Sequence, residues 1–192
     1  MQSLELFASN EQTRGYLVLG DMHWPCAIGA AGFADHKVEG DGKTPLGQFA
    51  LRRLWYRADR FAPPRGPLPQ RVIDRGDGWS DDPDDPDYNK PVRLPHPFRH
   101  ETLWRDDALY DAFIEIGYND APAISGAGSA IFLHLEKNNY QPTRGCVAIS
   151  RDHMMQLIPL VGVATNLHIH NQTRSFISTS SRWPNKARPM RI

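Results

Sequence analysis

The chain has 192 residues, 40% of them hydrophobic, enough to bury one sizeable core and unlike a small module stapled by disulfides. Its 22 basic and 22 acidic residues cancel, so no net field draws it to nucleic acid or to anionic lipid, and neither is expected as a partner. Two cysteines, Cys26 and Cys146, fit one packing thiol and one chemical thiol in a reducing compartment better than they fit a disulfide framework.

The N-terminus, Met1-Gln2-Ser3-Leu4-Glu5-Leu6-Phe7-Ala8-Ser9, has no basic n-region and no continuous apolar core of signal-peptide length. The expectation is a cytoplasmic protein, unless a leader has been removed. The apolar stretch 24–34 is broken by Pro25, Gly29 and Gly32 and falls far short of the ~20 residues that span a bilayer. Strand-like runs follow at 16–19, 24–28, 48–51, 112–118, 130–135 and 167–170, commonly bounded by Gly, Pro or Asn. They predict a mainly β, sandwich-like single domain over 1–192, with no internal repeat and no composition shift that divides it.

Residues 60–107 form an insertion rich in Pro, Asp and aromatics, of the length that serves as a cap over an active site, with Trp79, Tyr88 and Trp104 as anchors. The acidic run Ser80-Asp81-Asp82-Pro83-Asp84-Asp85-Pro86-Asp87 lacks the Gly and terminal Glu of an EF-hand and reads as a solvated loop. Ser150 with Arg151-Asp152 reads as a helix N-cap with an acidic first turn. Met154, Met155, Leu157 and Ile158 give that short helix an apolar face before Pro159.

The chemistry concentrates around Cys146. It follows Pro142-Thr143-Arg144-Gly145 and precedes Val147-Ala148-Ile149, so a thiol sits where a turn hands over to an apolar segment. Twelve residues upstream, His134 ends the run Ala130-Ile131-Phe132-Leu133. An imidazole beside a thiol can take its proton and leave a nucleophilic thiolate. Gly145 permits a tight turn, so the amides of Gly145 and Cys146 are candidate oxyanion donors. His153, on the expected helix, is the rival base.

These residues resemble the YkuD-type L,D-transpeptidase catalytic domain. The family carries a histidine at a strand end, then a small hydroxyl residue, a variable residue, Gly, Cys and an aliphatic residue, matched here by His134, Thr143, Arg144, Gly145, Cys146 and Val147. A second hallmark is matched by Gly40-Asp41-Gly42-Lys43-Thr44-Pro45-Leu46-Gly47-Gln48-Phe49. Two departures stand out: many members have His directly before the Gly and Arg two residues after the Cys, where this chain has Arg144 and Ala148. Arg144 either takes over recognition of a substrate carboxylate or contacts only solvent or an acidic loop. Tyr140 and Thr143 are further candidate substrate-binding residues. His100, Trp104 and Arg105 resemble positions in a family subgroup with a similar insertion and are candidates for the cleft wall, with ordinary loop packing as the alternative.

The resemblance implies a YkuD-like β-sandwich with one or two short helices, no cofactor, and acyl transfer through a Cys146 thioester. The implied substrate is a peptidoglycan stem peptide ending in D-alanine, as a muropeptide or a nucleotide-linked precursor, and carbapenems are implied as covalent inhibitors. In a cytoplasmic enzyme water is the expected acceptor, which makes an L,D-carboxypeptidase of peptidoglycan recycling. An exported transpeptidase and a non-catalytic muropeptide-binding module are the alternatives.

Two other signals are weaker. Gly42-Lys43-Thr44 would need Gly five positions before Gly42 to be a phosphate loop, and Lys37 stands there. His168 and His170 alternate on a strand and face one side, yet no recognisable spacing supplies a third metal ligand, so a structural role is expected and no metal.

Overall fold

The computed structural model describes residues 3–174, so Met1 and Gln2 of the leader reading and 175–192 of the single-domain reading lie outside the described residues. Strands β1 (Ser3–Ala8), β2 (Arg14–Leu19) and β3 (Met22–Ala27) form an antiparallel meander. Gly20, at φ 60°, opens the two-residue turn between Leu19 and Met22. Two short strands, β4 (Phe33–Ala34) and β5 (Thr44–Pro45), pair in parallel before the long β6 (Gly47–Tyr56). Then come β7 (Gln70–Val72), β8 (Asp77–Ser80), β9 (Pro91–Arg93), β10 (His100–Thr102) and β11 (Ala112–Ile116). The chain continues through β12 (Phe132–Leu135), β13 (Val147–Ile149), helix α1 (Arg151–Leu157), a 3-10 turn and β14 (Asn166–Thr173).

The main sheet has nine strands in the order β11-β12-β13-β3-β2-β1-β14-β6-β7, and β6 also pairs with β11. Residues 47–50 of β6 lie against β14, and residues 51–56 lie against β11. One long strand therefore passes from one layer to the other, and the sandwich closes on itself. The fold is mainly β, with one short helix among the described residues. Ser150 caps that helix by accepting a hydrogen bond from the His153 amide at 3.2 Å.

The enclosed core is built from alternating residues, among them Leu4, Leu6, Leu17, Leu51, Leu133, Leu135, Val147, Ile149, Leu167 and Ile169. Each such side chain contributes roughly 1.5–3 kcal/mol by leaving water. A second cluster lies on the other face of β6, β11 and β12 and includes Trp55, Trp79, Leu103, Tyr110, Phe113, Phe132 and Cys146. Trp55 stacks on Phe113 at 5.7 Å, and Trp79 meets Phe132 edge-on at 5.0 Å.

Residues 60–107 supply the other wall of this cluster. They are no bare loop: β8 pairs with β9 and β10 in a three-stranded sheet, and β7 extends the main sheet. Trp79 donates to Asn89 Oδ1 at 3.0 Å, Tyr88 accepts from the Gly128 amide at 3.0 Å and reaches Glu39, and Trp104 lies under the guanidinium groups of Arg57 and Arg75. No helix among the described residues is long and apolar enough to cross a membrane.

Candidate active site

Strand β12 is buried on both faces, which sends Leu133 and Leu135 into the enclosed core and Phe132 and His134 to the opposite side. Its parallel neighbour β13 sends Val147 and Ile149 inward and Ala148 outward, with Cys146 on Ala148's side at the strand entrance. The register pairs His134 with Ala148, and the Phe132 amide donates to Cys146 Sγ at 3.3 Å. Alternation thus puts the thiol and the imidazole on one face, offset by about 7 Å along the strands, two residues' rise.

Both line one cavity of ≈ 340 Å³ with Glu101, Arg105, Tyr110, Lys137, Thr143 and Arg144. A second cavity of ≈ 550 Å³ meets it at Cys146, Glu101 and Arg144, and is walled by Lys37, Glu39, Asp81 and Arg99. His153 lines neither; its Nδ1 lies 3.4 Å from Tyr140 Oη.

His134 Nδ1 lies 2.8 Å from the Leu135 carbonyl. That carbonyl only accepts, so Nδ1 carries the hydrogen and Nε2 is left with the lone pair a base needs. The orienting group is backbone, with no side-chain identity for a sequence to display. Burial pushes the imidazole down to about 4, against the pull of the Leu135 bond.

The thiol does not contact that lone pair. Cys146 Sγ donates to the Ala130 carbonyl at 3.2 Å. Burial first, and then the charge of Glu101, push it up to about 12, with the Phe132 amide and Lys37 pulling the other way. Both shifts favour a neutral thiol beside a neutral imidazole at rest, with proton transfer to His134 left to the encounter with substrate. The physical reason is burial, which disfavours the charged form of each group.

Gly145 has φ 134°, and a Cβ there would lie 2.7 Å from the Lys43 carbonyl. Its amide donates to Thr143 Oγ1 at 3.1 Å, and that hydroxyl donates to the Cys146 carbonyl at 2.7 Å. The two residues brace the cysteine loop. At rest the Gly145 hydrogen is already engaged, and the Thr143 hydroxyl serves the loop itself. The Gly40–Phe49 motif forms the adjoining floor: Asp41 accepts from the Val38 and Lys43 amides and from Lys37, and Thr44 Oγ1 accepts from the Gly29 amide at 2.9 Å.

The other candidates divide. Arg144 lines both cavities, with no carboxylate within ion-pair distance among the described residues. Arg105 lines the smaller one and forks onto Asp107 with two bonds of 2.8 Å. Trp104, between two guanidinium groups, is absent from both walls, and so is His100, whose Nδ1 is held 2.7 Å from the Phe98 carbonyl. Tyr140 is buried beside Ala27 and Ala148 and lines neither cavity. Aromatic and charged loop residues look alike in a sequence whether they face a cleft or pack a loop.

The structure adds residues the sequence did not single out. Glu101, next to His100, lines both cavities, is held by Tyr110 Oη at 2.5 Å, and has its carboxyl raised by burial. Lys37 is buried with its ammonium 2.5 Å from Asp41. Its place near the Gly-Asp motif was a usable signal; nothing in the sequence announced Tyr110.

Residues 7–169 match the family model of the YkuD L,D-transpeptidase catalytic domain. The match covers most of the chain, and the protein belongs to that family. Its chemistry is therefore acyl transfer by a cysteine on peptidoglycan-derived peptides. No curated protein and no solved structure matches the chain.

Proposed function

We propose that the chain is an L,D-carboxypeptidase that removes terminal D-alanine from tetrapeptide stems during peptidoglycan recycling in the cytoplasm, acting on soluble muropeptides or nucleotide-linked precursors. Cys146 Sγ attacks the carbonyl before D-alanine while His134 Nε2 takes the thiol proton. The Cys146 amide faces the developing oxyanion, and Gly145 serves by holding the turn. His134 then gives its proton to the departing amine as the C–N bond breaks, and D-alanine leaves. Water, deprotonated by His134, attacks the thioester and releases tripeptide and free thiol.

The observation that carries the choice of water is the charge of the cavity on the His134 side. Arg105, Lys137 and Arg144 line it against Glu101 alone, with Arg105 partly neutralised by Asp107. That wall attracts the carboxylate of D-alanine and disfavours the side-chain ammonium of a second stem peptide as acceptor. Free thiols at both Cys26 and Cys146 suit a reducing compartment.

The rival transpeptidase reading draws on the larger cavity beyond Cys146, which gives room for a second peptide. The binding-module reading draws on the protonated resting thiol. The test is mass spectrometry of purified protein with L-Ala-D-Glu-meso-diaminopimelate-D-Ala, with and without D-methionine, and Cys146→Ala as control. Tripeptide as main product in both mixtures is the expected result. Predominant D-methionine exchange makes the protein a transpeptidase, and no product beside measurable peptide binding makes it a binding module.

A further inference from the structure

The two histidines of β14 meet a third ligand that comes from the opposite end of the chain. Strand β1 runs parallel to β14 with Glu5 paired to His168, and His170 lies two residues on, on the same face. The register slips just beyond Leu6 and Ile169, so His170 sits at an irregularity of the kind that re-aims a side chain. His170 Nε2 lies 2.5 Å from Glu5 Oε2, and its ring stacks on Phe7 at 4.9 Å. His168 makes no hydrogen bond among the described residues, and its ring centre is 6.1 Å from that of His170. One ligand atom from each of Glu5, His168 and His170 lies within 4.8 Å of the others.

We propose that Glu5, His168 and His170 form a binding site for a zinc-type divalent transition metal, which clasps the first described strand to the last. Two imidazoles and a carboxylate suit zinc, copper(II) or nickel, and are too nitrogen-rich for calcium or magnesium. With metal–ligand bonds of about 2.0–2.1 Å, tetrahedral donors stand roughly 3.3 Å apart. The Glu5–His170 pair opens slightly, and His168 swings in to meet it. All three side chains are only half-buried. Ser3 Oγ, 2.5 Å from Glu5 Oε1, orients the oxygen that faces away from His170. The fourth position is open to water. The reading is independent of the acyl-transfer site, which lies beyond β3 and β2 in the sheet.

The register of β1 on β14 explains why the chain alone concealed the site. Glu5 and His170 are 165 residues apart in sequence. A metal that binds only the folded state adds stability in proportion to the logarithm of its concentration above the dissociation constant.

The experiment is calorimetric titration of untagged, full-length protein with zinc chloride, in a Cys146→Ala background so that the active-site thiol does not compete. The expected result is one zinc per chain, with affinity at least ten-fold weaker in His168→Gln, His170→Gln and Glu5→Gln and a melting temperature that rises with zinc only in the parent. Far-UV circular dichroism checks that each variant is folded, and at least two folded variants decide the outcome. Failure of the parent to bind, or unchanged affinity in the folded variants, overturns the proposal.

Discussion

Cys146 and His134 share a cavity wall, yet the thiol donates to the Ala130 carbonyl at 3.2 Å and the imidazole is steered by the Leu135 carbonyl at 2.8 Å. The nucleophile is parked. Under the proposed mechanism, attack requires Sγ to leave Ala130 and turn toward His134 Nε2.

Reactivity of the thiol tests this. With Cys146 pushed up to about 12 by burial and then by Glu101, iodoacetamide should label it slowly at pH 7 and faster in proportion to hydroxide through pH 9. Glu101→Gln should raise the rate several-fold by removing the nearby charge. Rapid labelling with a plateau below pH 8 would mean an activated thiolate at rest.

Turnover of the tetrapeptide should vanish in Cys146→Ala with the fold intact. His134→Ala should lower kcat by about 10²–10⁴, the range general-base catalysis supplies. His153→Ala should change kcat little, since that ring meets Tyr140 and lines neither cavity. A larger loss in His153→Ala than in His134→Ala would reverse the assignment.

Burial of His134 predicts an acid-sensitive step. Its folded pKa, about 4, lies below the ordinary 6.5, so between those values the unfolded chain binds the extra proton and the folded one does not. Stability is fully present above pH 6.5 and falls as pH drops toward 4, by about 3 kcal/mol at most. Urea unfolding of the parent minus His134→Gln across that window isolates the effect from the carboxylates. A flat difference would show that His134 titrates normally.

Asn89 ties the insertion to the segment that leads into β12. Its Oδ1 accepts from Trp79 Nε1 and from the Ala130 amide, both at 3.0 Å, and its Nδ2 donates to the Tyr118 and Asn119 carbonyls. Asn89→Ala would leave buried partners unpaired, at a cost of ~3 kcal/mol. Because Ala130 also holds the thiol, labelling of Cys146 should accelerate. Equilibrium denaturation and iodoacetamide kinetics measure both, and unchanged values in each would remove Asn89 from this role.

The six strand-like runs correspond to β2, β3, β6, β11, β12 and β14, and the Ser150 cap opens α1. Strand β1 carries an alternating Ser-Leu-Glu-Leu-Phe-Ala pattern that reads as a strand in retrospect. The three- and four-residue strands within 60–107 are too short to show a period, and they form because Trp79 and Leu103 are buried against Trp55, Phe113 and Phe132. Their stability is tertiary.

What the sequence determined by itself was the chemistry carried by contiguous residues: the Thr143–Val147 segment, the Gly40–Phe49 motif, and a histidine ending an apolar strand. Local motifs constrain neighbours within a few bonds, so residue identities suffice to display them. Tertiary structure alone decided which way burial shifts the thiol, which arginines face the cleft, that a backbone carbonyl orients His134, and that Glu5 reaches His170. Those outcomes depend on burial and on register between strands far apart in the chain, and both arise only when the sheet closes.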